Sequence, residues 1–150
     1  MKLGLSLVTL GVADISSSRR FYRAMGLTES SASQAEVAFF QLGNIVLSLF
    51  SRAALAEDAN LTDSPPGFSG IALAWNVPSE REVDNALAKA AVSGGRVVKP
   101  GQKVFWGGYS GYFADLDDHL WEVAFNPFFP LDSTGRISLP DDMKPSASTS

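Results

Sequence analysis

The chain writes one order of structural signals twice, and that repetition restricts its fold more than any other feature. Leu3, Leu5, Leu7 and Thr9 alternate with Gly4, Ser6, Val8 and Leu10 up to Gly11-Val12, a period-two pattern that predicts a strand. Asp14 can cap a following helix, to which Ile15, Phe21, Tyr22 and Met25 give apolar contacts before Gly26 stops it. The helix is predicted over 14–25. Further on, Ser69 to Val77 is again an apolar strand, and Ser79-Glu80-Arg81-Glu82 has the form of a capping box. Val83, Ala86, Leu87, Ala90 and Ala91 then form one helical stripe closed by Gly94-Gly95. Val12 overlays Val77, Asp14 overlays Ser79, Gly26 overlays Gly94 and Leu47 overlays Glu122. A spacing of roughly 65 to 75 residues is too long for a solenoid repeat.

Each half is completed by strand signals. In the first, short strands are expected near 28–33 and 36–41, and a third over Ile45 to Phe50 after the turn pair Gly43-Asn44. In the second they are expected from Arg96, over Tyr109 to Ala114, and over His119 to Ala124 after the turn Asp115 to Asp118. Both halves therefore read βαβββ, an α+β arrangement. Residues 51–66, with Asn60, Asp63, Ser64 and Pro65-Pro66, break both periodicities and suit a linker. One domain is expected over 1–127, with units 3–50 and 67–127. The extension 128–150 turns Pro-rich and Ser-rich, and Ser146 to Ser150 is expected to be disordered.

A length of 150 residues suits one core. The formal net charge of −4 supplies no basic field for nucleic acid or anionic membranes, and no run approaches the roughly 18 apolar residues of a membrane span. Neither is expected as a partner. With no cysteine, disulfides, thiolate nucleophiles and sulfur-ligated metals are all excluded, and a cytoplasmic protein is expected. Met1-Lys2 and the apolar run after it lack the small-residue cleavage site of a signal peptide.

Val8 to Ile15 with Ser18, Phe21-Tyr22 and Gly26-Leu27, and the hairpin Asp115-Leu116-Asp117-Asp118-His119-Leu120-Trp121-Glu122-Val123, resemble the opening and closing segments of the vicinal oxygen chelate superfamily. This is the glyoxalase, bleomycin-resistance and extradiol-dioxygenase group. With Gly70 to Val77 and Trp106 to Tyr112, the likeness covers about residues 3 to 127. Leu116 and Asp118 stand where the family commonly has Pro and Gly; Asp tolerates the left-handed backbone such a hairpin needs. The resemblance implies two βαβββ units whose curved sheet forms a cup, commonly completed by a second copy in a homodimer.

Metal-using members place four His, Gln or Glu ligands in that cup. By this resemblance the positions here are Leu7, Ala72, Leu47 and Glu122, of which only the last can ligate. No catalytic metal is expected, a divalent ion being the lesser alternative. Glu122 is then either a general base or ligand acceptor, or an inherited carboxylate satisfied by hydroxyls such as Ser48, Tyr109 or Tyr112. Phe39 or Phe40, Trp75, Trp106, Tyr109, Tyr112, Trp121 and Phe125 are spread over several strands. They either line a pocket for a flat organic ligand or fill the core. Arg96, Lys99 and Lys103 either meet an anionic ligand at the rim or solvate an edge strand. The lone histidine, His119, belongs to the closing turn and is not expected to be catalytic. Two functions follow: a binding module for a small aromatic or amphipathic molecule, with Leu47 among its lining residues, or an enzyme using Glu122 for proton transfer.

Overall fold

The computed structural model describes residues 1–64 and 67–139. The first unit comprises β1 (Leu7–Val12), α1 (Ile15–Ala24), β2 (Val37–Leu42) and β3 (Ile45–Ser51). A short helix, α2 (Arg52–Asp58), follows inside the segment expected to be a plain linker. The second unit comprises β4 (Ala72–Asn76), α3 (Glu80–Val92), β5 (Arg96–Lys103), β6 (Tyr109–Ala114) and β7 (Leu120–Phe125). The first sheet has the order β1-β3-β2 and the second β4-β7-β6-β5. In each, the first strand runs parallel to the last, β1 to β3 and β4 to β7, and the other neighbours are antiparallel.

The caps act as their residue types require. The Asp14 side chain accepts from the Ser16 N–H and the Ser79 side chain from the Glu82 N–H, each satisfying a donor that the first helical turn leaves unpaired. Gly26 and Gly94 follow their helices at φ 102° and 107°, a left-handed backbone that glycine adopts without a Cβ clash.

The strand expected near 28–33 does not form; only an isolated bridge between Glu29 and Phe40 marks its place. The Ser30 N–H still donates to the Phe39 carbonyl at 2.8 Å, but side chains take much of the remaining pairing. The Ser30 hydroxyl accepts from the Ala32 N–H, the Ser33 hydroxyl from the Phe39 N–H, and Arg19 and Arg23 hold the Glu29 carboxylate. The expectation for residues 146–150 lies outside the described residues, but part of the extension is ordered as a tight turn at 131–137, with a bridge from Leu131 to Ile137.

One core joins the two units. Phe21 and Tyr22 of α1 and Val83, Ala86, Leu87 and Ala90 of α3 share a buried cluster with Val12, Phe40, Leu47, Leu49, Phe113 and Val123. The Phe21 ring lies 6.4 Å from Phe113 of the second sheet, and Tyr22 stands 6.3 Å from Phe40 and 6.2 Å from Trp121. Helix α1 is thus packed between both sheets. Because side chains alternate across a strand, the other face of each sheet points away from this shared core.

Candidate functional site

Glu122 stands on the outward face of the second sheet. It is paired with Ala74 on one side and Tyr112 on the other, so these three side chains share a face, with Ala72 two residues along. The Tyr112 hydroxyl donates to Glu122 Oε2 at 2.5 Å. That bond, with partial desolvation and the carboxylate charge, raises the Tyr112 pKa, so the phenol stays a donor at neutral pH. Ala72 and Ala74 are exposed, and their methyl groups leave the carboxylate open to approach.

In the first sheet, Thr9 precedes Val12 as Ala74 precedes Val77, and Thr9 pairs with Ser48. Ser48, not Leu47, is therefore the register equivalent of Glu122. The overlay of Leu47 on Glu122 is one residue out, and with a period of two that places Leu47 on the opposite face. Leu47 is 2% exposed and belongs to the core. Leu7, Thr9, Ser48 and Phe39 make up the outward face here. Part of it is covered by α2: a Cβ added to Gly11 would lie 3.2 Å from the Arg52 Cα. Arg52 is itself tied to Asp63 at 2.6 Å.

The four chelating positions thus become Leu7, Ala72, Ser48 and Glu122. Two are hydrocarbon, one is a neutral hydroxyl, and the single carboxylate already accepts from Tyr112. Among the described residues no group of three or more His, Cys, Asp or Glu side chains could hold an ion. The residues present do not fit a divalent metal, which needs several nitrogen or oxygen ligands converging at close to 2 Å.

Asp115-Leu116-Asp117-Asp118-His119 serves as a latch between the units. Asp115 Oδ1 accepts from the backbone N–H of Asp117 and of His119, both at 2.9 Å, and Asp118 takes the left-handed conformation at φ 64°. Asp117 reaches across to accept from the Ala13 N–H at 2.8 Å and the Ser18 hydroxyl at 3.2 Å. The His119 ring lies with Nε2 2.7 Å from the Gly11 carbonyl oxygen, an acceptor, so that nitrogen carries the proton. In the core, the Tyr22 hydroxyl donates to Asp115 Oδ2 at 2.6 Å and accepts from Trp121 Nε1 at 3.2 Å. Burial outweighs these hydrogen bonds and raises the Asp115 carboxyl above its ordinary value; burial and that neighbouring acid push the Tyr22 phenol well above 10.

The aromatic residues expected to share a site with Glu122 are divided by strand alternation. Only Tyr112 is beside it. Phe39 is on the outward face of the other sheet. Tyr109 turns toward α3, where its hydroxyl donates to Asp84 at 2.8 Å, and Gly101 is needed there because a Cβ would come within 2.4 Å of that carboxylate oxygen. Trp106 sits at the tip between β5 and β6, its ring lying over Gly108 where any side chain would collide. Trp121 stacks on Phe113 at 6.0 Å and 3° on the inner side. Trp121, Trp75 and Leu47 line a cleft of about 840 Å³ between the two units, with Tyr22 and Phe113. Neither Glu122 nor Tyr112 borders it. Of the expected rim cations, Arg96 pairs with Asp118 and Lys103 with Glu80, while Lys99 stands beside Tyr112 in the sheet.

Two βαβββ-like units, each with its first strand parallel to its last and with a carboxylate on the last strand of the second, define a glyoxalase-type domain. The chain belongs to the Glyoxalase/Bleomycin resistance protein/Dioxygenase superfamily, whose family model matches residues 4–123. A glyoxalase-related enzyme from Fulvimarina pelagi is similar at 33% identity and a TM-score of 0.83, over 91% of this chain and 97% of that one. A family member from Burkholderia phytofirmans shares the fold at 19% identity and a TM-score of 0.71, over 82% and 98% of the two chains. A fosfomycin resistance protein from Mesorhizobium loti does so at 22% and 0.62, over 84% and 94%. No curated protein matches.

Proposed function

We propose that this chain binds a small aromatic or amphipathic molecule without a metal, on the outward face that carries Glu122 and Tyr112, and that a second copy closes the site. The observation that carries this reading is the Glu122 carboxylate, held at 2.5 Å by a phenol on an open face flanked by alanines. A half-buried acid with one oxygen occupied has its other oxygen available to accept from a ligand N–H or O–H, a bond worth roughly 1.5–3 kcal/mol when one partner is charged. Tyr112 adds a ring edge and Ala74 leaves room. The outward faces of the two sheets lie on opposite sides of the shared core, so one chain presents two half-sites and a homodimer joins unlike halves.

A second reading keeps the same atoms but has Glu122 take a proton from a bound substrate, with the Tyr112 hydroxyl stabilising the charge that develops on substrate oxygen. The hydrogen bond between the two side chains favours it, as does likeness to a protein described as a glyoxalase-related enzyme. A thermal-shift screen of aromatic and amphipathic compounds followed by Glu122→Gln separates the readings. The binding reading expects hits that are not turned over and that weaken by about tenfold in the variant. Turnover that the substitution abolishes at unchanged affinity establishes the enzyme reading instead.

A further inference from the structure

The cleft between the units is bordered by side chains that the Glu122 face does not share. Leu47, Phe113, Trp75 and Trp121 give it an apolar and aromatic wall, with Tyr22 also in the lining. The turn at 131–137, beyond the residues that the family model matches, adds Thr134, Gly135, Arg136 and Ile137 to the lining. That turn is built rather than loose. Asp132 Oδ1 accepts from the Thr134 N–H at 2.8 Å, the Thr134 hydroxyl at 2.6 Å and the Arg136 N–H at 3.0 Å, while the Asp132 N–H donates to the Arg136 carbonyl at 2.9 Å. These bonds fix the turn from which Arg136 and Ile137 border the cleft. The guanidinium lies across the β2–β3 turn, its Nε 3.1 Å from where a Cβ on Gly43 would be. Among the described residues Arg136 makes no ion pair.

An apolar, ring-lined cavity of about 840 Å³ bordered by a guanidinium that makes no ion pair among the described residues matches a hydrophobic acid: rings or chain against the rings, anionic group toward Arg136. We infer that the cleft bordered by Arg136 is a second small-molecule site, separate from the Glu122 face, and that it takes aromatic or aliphatic carboxylates. Tyr22 and Trp121 already satisfy each other, and Arg136 is the one charged side chain among the lining residues, so recognition of the anionic group falls to it.

Trp75 and Trp121 report on this cleft directly. Titrating the full chain with 1-naphthoate should quench tryptophan fluorescence saturably, and neutral 1-naphthamide should bind more weakly. Arg136→Gln, a change on an exposed turn, should weaken naphthoate by about tenfold and leave the amide unaltered. Trp75→Leu should remove part of the quench. The inference is overturned by absence of saturable quenching, as would follow if a second copy filled the cleft, or by equal loss for acid and amide in Arg136→Gln. It is overturned as well if Glu122→Gln abolishes naphthoate binding, because the acid then sits on the outward face; loss of the Glu122 reading alone leaves the Arg136 effect in place.

Discussion

The inner and outer sides of the same two sheets have been put to different uses. Inside, Phe21, Phe113, Phe40, Trp121 and Tyr22 are packed ring to ring with two helices, and the polar atoms among them are paired. Outside, the second sheet presents alanines, one acid and one phenol, and the first presents Thr9, Ser48 and Phe39 partly beneath α2. A strand alternates its side chains, so one residue separates a position that stabilises the fold from one that can meet a ligand. Leu47 and Ser48 are that pair in the first sheet; Trp121 and Glu122 are that pair in the second.

This contrast fails most visibly if inner substitutions are tolerated. Phe21→Ala removes a ring that is 1% exposed and touches both sheets through α1, and should lower unfolding free energy by about 3–5 kcal/mol in a urea titration. Tyr22→Phe deletes one hydroxyl, yet it leaves Asp115 Oδ2 without its donor and Trp121 Nε1 without its acceptor, so a loss of about 1–3 kcal/mol is expected. On the outer side, Glu122→Gln keeps an acceptor for Tyr112 and should change stability by less than about 1 kcal/mol while altering ligand affinity.

A smaller effect sharpens the account of the latch. Burial raises the Asp115 pKa above its ordinary 3.8, so the folded protein holds that proton more tightly than the unfolded chain does. Its contribution is fully present below the ordinary value and declines as pH rises through the higher folded one. Relative to Asp115→Asn, which does not titrate there, the wild type should lose stability upward from about pH 4 in paired urea titrations. A wild type that gains stability over Asp115→Asn as pH rises would reverse the assignment.

Much of the fold is legible in the residues. The helix signals at Asp14, Gly26, Ser79 and Gly94 act at the ends where they were expected, and the closing turn forms with Asp118 left-handed. What the sequence conceals is set by register and by competition. Serine hydroxyls displaced the strand near 28–33, and nothing in that composition tells a strand from a serine-held turn. Helix α2 emerged within a polar connection because Arg52 to Asp58 could pack across Gly11.

The site was legible only in part, for the same reason. Glu122 and its partner Tyr112 could be picked from the closing hairpin, but the face of each ring depends on pairing that composition does not disclose. Tyr109, Trp75 and Trp121 are aromatic in the same sheet and turned inward. Tyr22 and Asp115, far apart in the chain, meet only once α1 is packed against the second sheet. Arg136 gave no signal because its partners are local and its cleft is formed by both units.

The central claim is that hydrocarbon and hydroxyl side chains at Leu7, Ala72 and Ser48 have replaced a chelating centre and left Glu122 to act without an ion. Elemental analysis of protein purified without chelator tests it most directly. Metal well below one ion per chain is expected, with ligand-induced thermal shifts unchanged by added zinc, manganese, nickel or iron. Near-stoichiometric metal that is lost on Glu122→Gln would contradict it.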